Sequence, residues 1–203
     1  TTGSNNLDYV SWSFRKQKGF FDVVTWNGSG SATGQVISHA LESTPGFIMI
    51  KETSESGAWW SCWHRSLGAS RIFLNESQNA TNANIQLYFG DGTNYVAPTA
   101  SSFTVNSNDL NQSGQTYVAY VFAHDDAQFG TGGNESIVKC GSYTATGSLQ
   151  EIDLGFEPQW VMIKNSSRSG NSASDWVIFD SMRGMMYDQD SPYLKANETS
   201  IAG

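Results

Sequence analysis

Pro45-Gly46-Phe47-Ile48-Met49-Ile50-Lys51 returns later in the chain as Pro158-Gln159-Trp160-Val161-Met162-Ile163-Lys164. Each copy is a short, continuous apolar run, the pattern of a strand covered on both faces. Other blocks return in the same order. Trp60-Ser61-Cys62-Trp63-His64-Arg65-Ser66-Leu67-Gly68 comes back as Trp176-Val177-Ile178-Phe179-Asp180-Ser181-Met182-Arg183-Gly184. Leu74-Asn75-Glu76-Ser77 has a looser echo in Asn197-Glu198-Thr199-Ser200, and Tyr9-Val10-Ser11-Trp12-Ser13-Phe14 anticipates Tyr117-Val118-Ala119-Tyr120-Val121-Phe122. The shared period of roughly 110 residues is the size of a domain and far longer than a solenoid repeat. The expectation is a window on tandem domains, hence an elongated modular protein.

Strand signals dominate the rest. Runs rich in β-branched and aromatic residues alternate with Gly, Ser, Asn and Thr clusters. Strands are predicted over Phe20–Trp26, Gln35–Ala40, Phe47–Glu52, Trp59–His64, Arg71–Asn75, Ile85–Phe89, Ser102–Val105 and Thr116–Phe122. The second copy offers Ile137–Tyr143, Glu151–Leu154, Trp160–Asn165, Asp175–Asp180 and Tyr193–Lys195. Neither face of Tyr117–Phe122 is polar, so that strand is expected to be central and covered on both sides, as are Phe47–Ile50 and Trp160–Ile163. No long stretch shows apolar residues at helical spacing, and Ser181–Tyr187 has room for one helical turn. The fold class is all-β, with an antiparallel β-sandwich ahead of an up-and-down barrel.

The repeat divides the chain. Residues 1–19 read as the end of a preceding unit or a linker arm. Residues 20–124 form a complete β-sandwich unit, and 125–136, rich in Gly and turn formers, form a linker. Residues 137–203 form an incomplete second unit. Both ends of the chain are expected to be cuts within the repeat, and Tyr9–Phe14 is the last strand of a preceding unit or a strand that pairs with this one.

Composition narrows the partners. The formal net charge is −8 and only 15% of residues are charged, which argues against a nucleic-acid surface built on clustered Lys and Arg. No apolar run approaches the roughly 18 residues that cross a bilayer, so membrane insertion is not expected. Cys62 and Cys140 are the only cysteines. They fall at different places in the repeat, replacing small hydrophobes, and are read as buried thiols.

The segment richest in chemistry is Trp59-Trp60-Ser61-Cys62-Trp63-His64-Arg65. Trp60 and Trp63 return as Trp176 and Phe179, which marks them as packing residues. Trp59 becomes Asp175, His64 becomes Asp180 and Arg65 becomes Ser181. Trp59, His64 and Arg65 are therefore the candidate ligand-binding residues: an aromatic face to stack on a sugar ring, with donors for its hydroxyls. His39 and His124 sit in no nucleophile motif, and His124 is read as a solvated salt link with Asp125 and Asp126. No carboxylate pair is placed for glycoside cleavage. Gly90-Asp91-Gly92-Thr93-Asn94 reads as a hairpin-type turn in preference to a calcium loop, and Asp188-Gln189-Asp190 is a weak oxygen cluster. No catalytic residue, metal or cofactor is assigned.

Phe21–Trp26 with Gly28 and Gly30, His39, Pro45–Lys51, Trp63–Gly68, Tyr117–His124, and Gly155–Lys164 followed by Trp176 and Arg183-Gly184 together resemble a domain of unknown function of marine, cyanophage-like bacteriophage proteins. The resemblance covers nearly the whole chain. It implies a concanavalin- or lectin-like β-sandwich of jelly-roll type in tandem copies. It also implies a place on the virion as a tail fibre, spike or capsid-surface appendage. The partners implied are other virion proteins, further copies of the chain (a trimer being one arrangement) and host-surface glycan. A stand-alone carbohydrate-binding module is the alternative, and a polysaccharide depolymerase a weaker one. The chain departs from the pattern where Asp180 and Ser181 stand in place of a His-Arg pair.

Overall fold

The computed structural model describes residue 6 and residues 9–169, 174–185 and 191–198, with the backbone alone at 107 and 108. These residues form an all-β protein of antiparallel sheets. The strands are β1 (Phe21–Asn27), β2 (Gln35–Ser38), β3 (Phe47–Glu52), β4 (Trp60–His64), β5 (Arg71–Phe73), β6 (Ser102–Val105), β7 (Thr116–Phe122), β8 (Trp160–Lys164), β9 (Trp176–Asp180) and β10 (Leu194–Lys195). One turn of helix, α1 (Ser107–Leu110), and two 3-10 turns complete the regular structure.

The largest sheet has the order β1-β7-β3-β4-β5. β7 lies between β1 and β3, as its apolar faces require. Tyr117, Ala119 and Val121 point to one side and are buried there. Ile48, Ile50, Trp63 and Trp26 share that side and meet Ile37, Phe103 and Val105 from the β2–β6 ribbon, with Leu41, Ile85 and Phe89 from loops. Ile48, Ile50 and Val121 are fully buried, each stabilising the fold by about 1.5–3 kcal/mol relative to exposure. On the other side Phe47, Cys62, Ile72 and Phe122 form a second core with Trp176 and Met162 from the sheet β10-β9-β8. The large sheet is thus covered on both faces.

The sequence repeat is a structural repeat. β3 pairs with β4 from Phe47↔His64 to Lys51↔Trp60, and β8 with β9 from Trp160↔Asp180 to Lys164↔Trp176. The two registers coincide residue for residue in the repeat alignment. The third strands follow, with Ile72 opposite Cys62 and Leu194 opposite Ile178. Local hydrogen bonds recur too. Asn75 Oδ1 accepts from the Trp60 amide at 2.8 Å, and Asn197 Oδ1 from the Trp176 amide at 2.8 Å. Lys51 Nζ donates to the Ala58 carbonyl, and Lys164 Nζ to that of Ser174. The same local sequence therefore makes the same hairpin twice. The second hairpin packs on the first through the equivalent face, since Trp176 and Met162 occupy the places of Trp60 and Met49.

Six expectations are corrected. Ile85–Phe89 is not a strand: Ile85–Leu87 is a 3-10 turn. Its amides bond back within the segment, those of Tyr88 and Phe89 both to the Ile85 carbonyl, and Ile85 and Phe89 both reach the core. Ile137–Tyr143 is irregular, because its backbone is spent on local partners. The Val138 carbonyl accepts from Asp125, and the Cys140 amide donates to His124 Nδ1 at 3.0 Å. That second bond also replaces the salt link expected for His124. It is Asp125 that pairs, with Lys139 at 3.5 Å. Glu151–Leu154 makes no strand and is largely exposed. Tyr9–Phe14 has no ladder. Finally, Trp160–Ile163 is not central. Among the described residues β8 is an edge strand, and every residue in it is half-buried. Beyond Ser181–Arg183, which is a turn, residues 186 and 187 lie outside the described residues, as do Asp188–Asp190 and the echo residues Thr199 and Ser200.

Residues 125–136 are mostly exposed and closed by a bridge between Phe129 and Glu135. Both cysteines are free thiols. Burial drives the Cys62 thiol far up and lifts that of Cys140 to about 12, so both stay protonated.

Candidate functional site

β4 and β5 carry the residues of interest. Alternation along β4 sends Cys62 and His64 towards the second sheet and Ser61 and Trp63 towards the β2–β6 side. Trp59 precedes the strand and is 46% exposed. Its ring rests 4.8 Å from that of Phe73, tilted by 51°. From Phe73, which is buried, the contacts run along β5 to half-buried Arg71. The Arg71 guanidinium lies 5.4 Å from the Phe73 ring centre and 3.5 Å from that of Tyr88. Its Nη1 donates to the Ala83 carbonyl. Burial, and then hydrogen bonding to Asp109, push the Tyr88 hydroxyl up to about 12, so it remains a neutral donor. Trp63 Nε1 donates to the Gly68 carbonyl at 2.9 Å and the Tyr95 hydroxyl at 3.0 Å, which fixes the floor beneath. Trp59, buried Phe73 and half-buried Arg71 and Tyr88 thus lie in one run of contacts, in which Trp59 offers the exposed ring for stacking on the C–H face of a sugar and Arg71 the cation.

The three sequence candidates do not converge. Trp59 and His64 stand at opposite ends of β4, roughly 16 Å apart at about 3.3 Å per residue. His64 Nδ1 accepts from the Ser66 amide at 3.2 Å, capping the 3-10 turn Arg65–Leu67, and its ring packs 5.9 Å from Phe47. Burial, helped by the neighbouring Arg65 charge, lowers its pKa to about 4, so it is neutral at pH 7. In the second hairpin Asp180 Oδ1 accepts from the Arg183 amide at 3.0 Å, which is the same capping job. The His-to-Asp exchange thus preserves an acceptor. Arg65 is exposed and follows the strand.

At the Trp59 position the two hairpins differ in kind. Asp175 replaces Trp59, and Lys195 replaces Phe73. Where the first hairpin sets two rings together, the second sets Lys195 Nζ 2.8 Å from a buried Asp175 oxygen. The fold accepts an ion pair here, so it does not itself require the aromatic pair. Sequence reading missed Arg71 and Tyr88. Their signal was weak, because they lie 17 residues apart by number and meet only through packing.

Asp91 accepts from the amides of Thr93 and Asn94 at 2.8 and 2.6 Å, within a turn closed by a Gly90–Tyr95 bridge. Among the described residues no group of three or more His, Cys, Asp or Glu is placed to hold a metal. A model for a domain of unknown function (DUF7483) matches residues 2–202. The chain belongs to this family. The family match spans both hairpins and the Tyr9–Phe14 segment. No curated protein and no solved structure matches the chain.

Proposed function

We propose that this family member is a structural and adhesive module of a phage virion appendage, a tail fibre, spike or capsid-surface protein, built as a lectin-like sandwich of jelly-roll type. The virion setting rests on the resemblance of the quoted blocks. The adhesive role rests on one observation: exposed Trp59 rests against buried Phe73 where the equivalent hairpin makes an ion pair. Residues that the fold does not demand are the ones free to serve a ligand. The ligand is host-surface glycan, held weakly by stacking on Trp59 and by donation from Arg71. Repeated copies on an oligomeric particle convert weak contacts into avidity.

The test is a glycan array probed with the chain and with the double variant Trp59→Asp/Phe73→Lys, which installs the ion pair of the second hairpin. Binding by the parent, loss in the variant and unchanged cooperative unfolding support the reading. No binding by the parent leaves a purely structural module. Release of reducing ends from host polysaccharide makes it a depolymerase instead. Binding by a protein that imaging fails to find on any particle makes it a stand-alone carbohydrate-binding module.

A further inference from the structure

β8 has the sequence of a central strand and the position of an edge strand. Its counterpart β3 is paired along its outer side with β7, from Phe47↔Phe122 to Glu52↔Tyr117. Among the described residues nothing pairs with that side of β8. An open apolar edge is a template for another strand.

The chain holds a segment that fits. Tyr9–Phe14 echoes β7, yet it alternates where β7 does not. Val10, Trp12 and Phe14 are apolar, and Ser11 and Ser13 are polar. That is the pattern of a strand with one buried face. The ring spacings are already alike, although Phe14 meets Trp160 edge-on at 79° and Phe122 stacks on Phe47 at 30°. Phe14 lies 6.1 Å from Trp160, as Phe122 lies 6.4 Å from Phe47. Trp12 lies 6.4 Å from Trp160 and within 5.8 Å of the Arg183 guanidinium. Phe14 also meets Phe21 and Phe122, both at 5.6 Å. The backbone of the segment is irregular, and Phe14 is still 39% exposed.

We propose that Tyr9–Phe14 zips antiparallel onto the open edge of β8, with Phe14 opposite Trp160, Trp12 opposite Met162 and Val10 opposite Lys164. This register copies that of β7 on β3. It turns Trp12 and Phe14 inward, beside Trp160 and Met162, and turns Ser11 and Ser13 to the outer face with Val161 and Ile163. That outer face has no layer like β2–β6 over it among the described residues, which is why serine suits it and the alanine and valine of β7 are not needed. The strand comes from the same chain, because Phe14 is already held against Trp160 and its effective concentration there is high.

Amide hydrogen exchange on the unaltered chain tests this without risk to folding. Residues 10–14 and 160–164 should exchange about tenfold or more slowly relative to the exposed residues 125–136. Exchange of 10–14 as fast as that exposed segment overturns the proposal. Paired cysteines then test register. Ser13→Cys/Val161→Cys should form a disulfide within one chain on mild oxidation, and Ser13→Cys/Lys164→Cys should not. Equal yields from both pairs overturn the register. A disulfide formed only between chains overturns the same-chain strand and assigns the edge to a second copy.

Discussion

Trp176 Nε1 donates to the Phe73 carbonyl at 2.7 Å in a buried setting, and the same indole packs 6.0 Å from Phe47. One side chain thus fastens the second hairpin to the edge of the large sheet. Trp176→Phe keeps most of the area but orphans the carbonyl, at a cost of about 1–3 kcal/mol. Trp176→Ala also leaves a cavity and costs about 3–5 kcal/mol. Urea denaturation reads both, and an unchanged midpoint for Trp176→Ala contradicts the role assigned to this contact.

Asn75 and Asn197 each accept the first amide of a hairpin's second strand. Asn75→Ala and Asn197→Ala should each destabilise by roughly 1 kcal/mol or somewhat more, since a half-buried amide loses its partner. Asn75→Asp keeps the accepting oxygen and should recover most of the loss, whereas Asn197→Asp should not, because Asn197 Nδ2 also donates to the buried Asp175 carboxylate at 2.7 Å. Equal effects of alanine and aspartate at position 75 in thermal unfolding contradict the acceptor role.

Gly46 is held open by Cys140. A Cβ at position 46 would stand 2.7 Å from Cys140 Sγ and 2.8 Å from the Ala123 carbonyl oxygen. Gly46→Ala should therefore destabilise by about 1–3 kcal/mol through overpacking. Cys140→Ala in the same chain relieves only the sulfur contact and should recover part of that. Gly57→Ala serves as the contrast. A Cβ there meets nothing within 4 Å, although its φ of +82° brings local strain.

Histidines set the acid limb of stability. His64 titrates near 4 when folded, and burial also lowers His39. An unfolded imidazole titrates near 6.5. Between those values the unfolded chain takes up protons that the folded chain refuses. Stability is thus full above about pH 6.5 and falls as pH drops towards 4. Burial works against the Asp22 and Asp180 carboxylates, but Lys16 together with the Ala40 and Val23 amides at Asp22, and Arg183 through its side chain and amide at Asp180, more than offset it and hold both below the usual range. Their contribution is lost only below about pH 4, the ordinary carboxyl value. The melting temperature should decline from pH 7 to pH 4.5, and His64→Asn, which keeps a capping acceptor, should flatten the decline. A melting temperature that does not change over this window contradicts the buried neutral imidazole.

The chain's local chemistry determined much by itself. Apolar runs and turn residues located β3, β6 and β7 to the residue. Phe47–Lys51 and Trp60–Gly68 recur in the sequence, and the hairpin they form recurs with them, because strand pairing between near neighbours is encoded in nearby side chains. Trp59 was legible as a site candidate for the same reason: the repeat showed its position varying while Trp60 and Trp63 kept their large apolar character. Tertiary structure decided the rest. It closed Ile85–Phe89 into a helical turn, with the Tyr88 and Phe89 amides donating to the Ile85 carbonyl. It made His64 a cap and separated it from Trp59 by the length of a strand. It required glycine at 46 although the repeat has Gln159 there, because Cys140 arrives from far along the chain. It also placed Arg71 over Tyr88, and among the described residues left β8 at a sheet edge despite a central strand's sequence. Each of these depends on which distant segment supplies the neighbouring surface, and no local pattern carries that information.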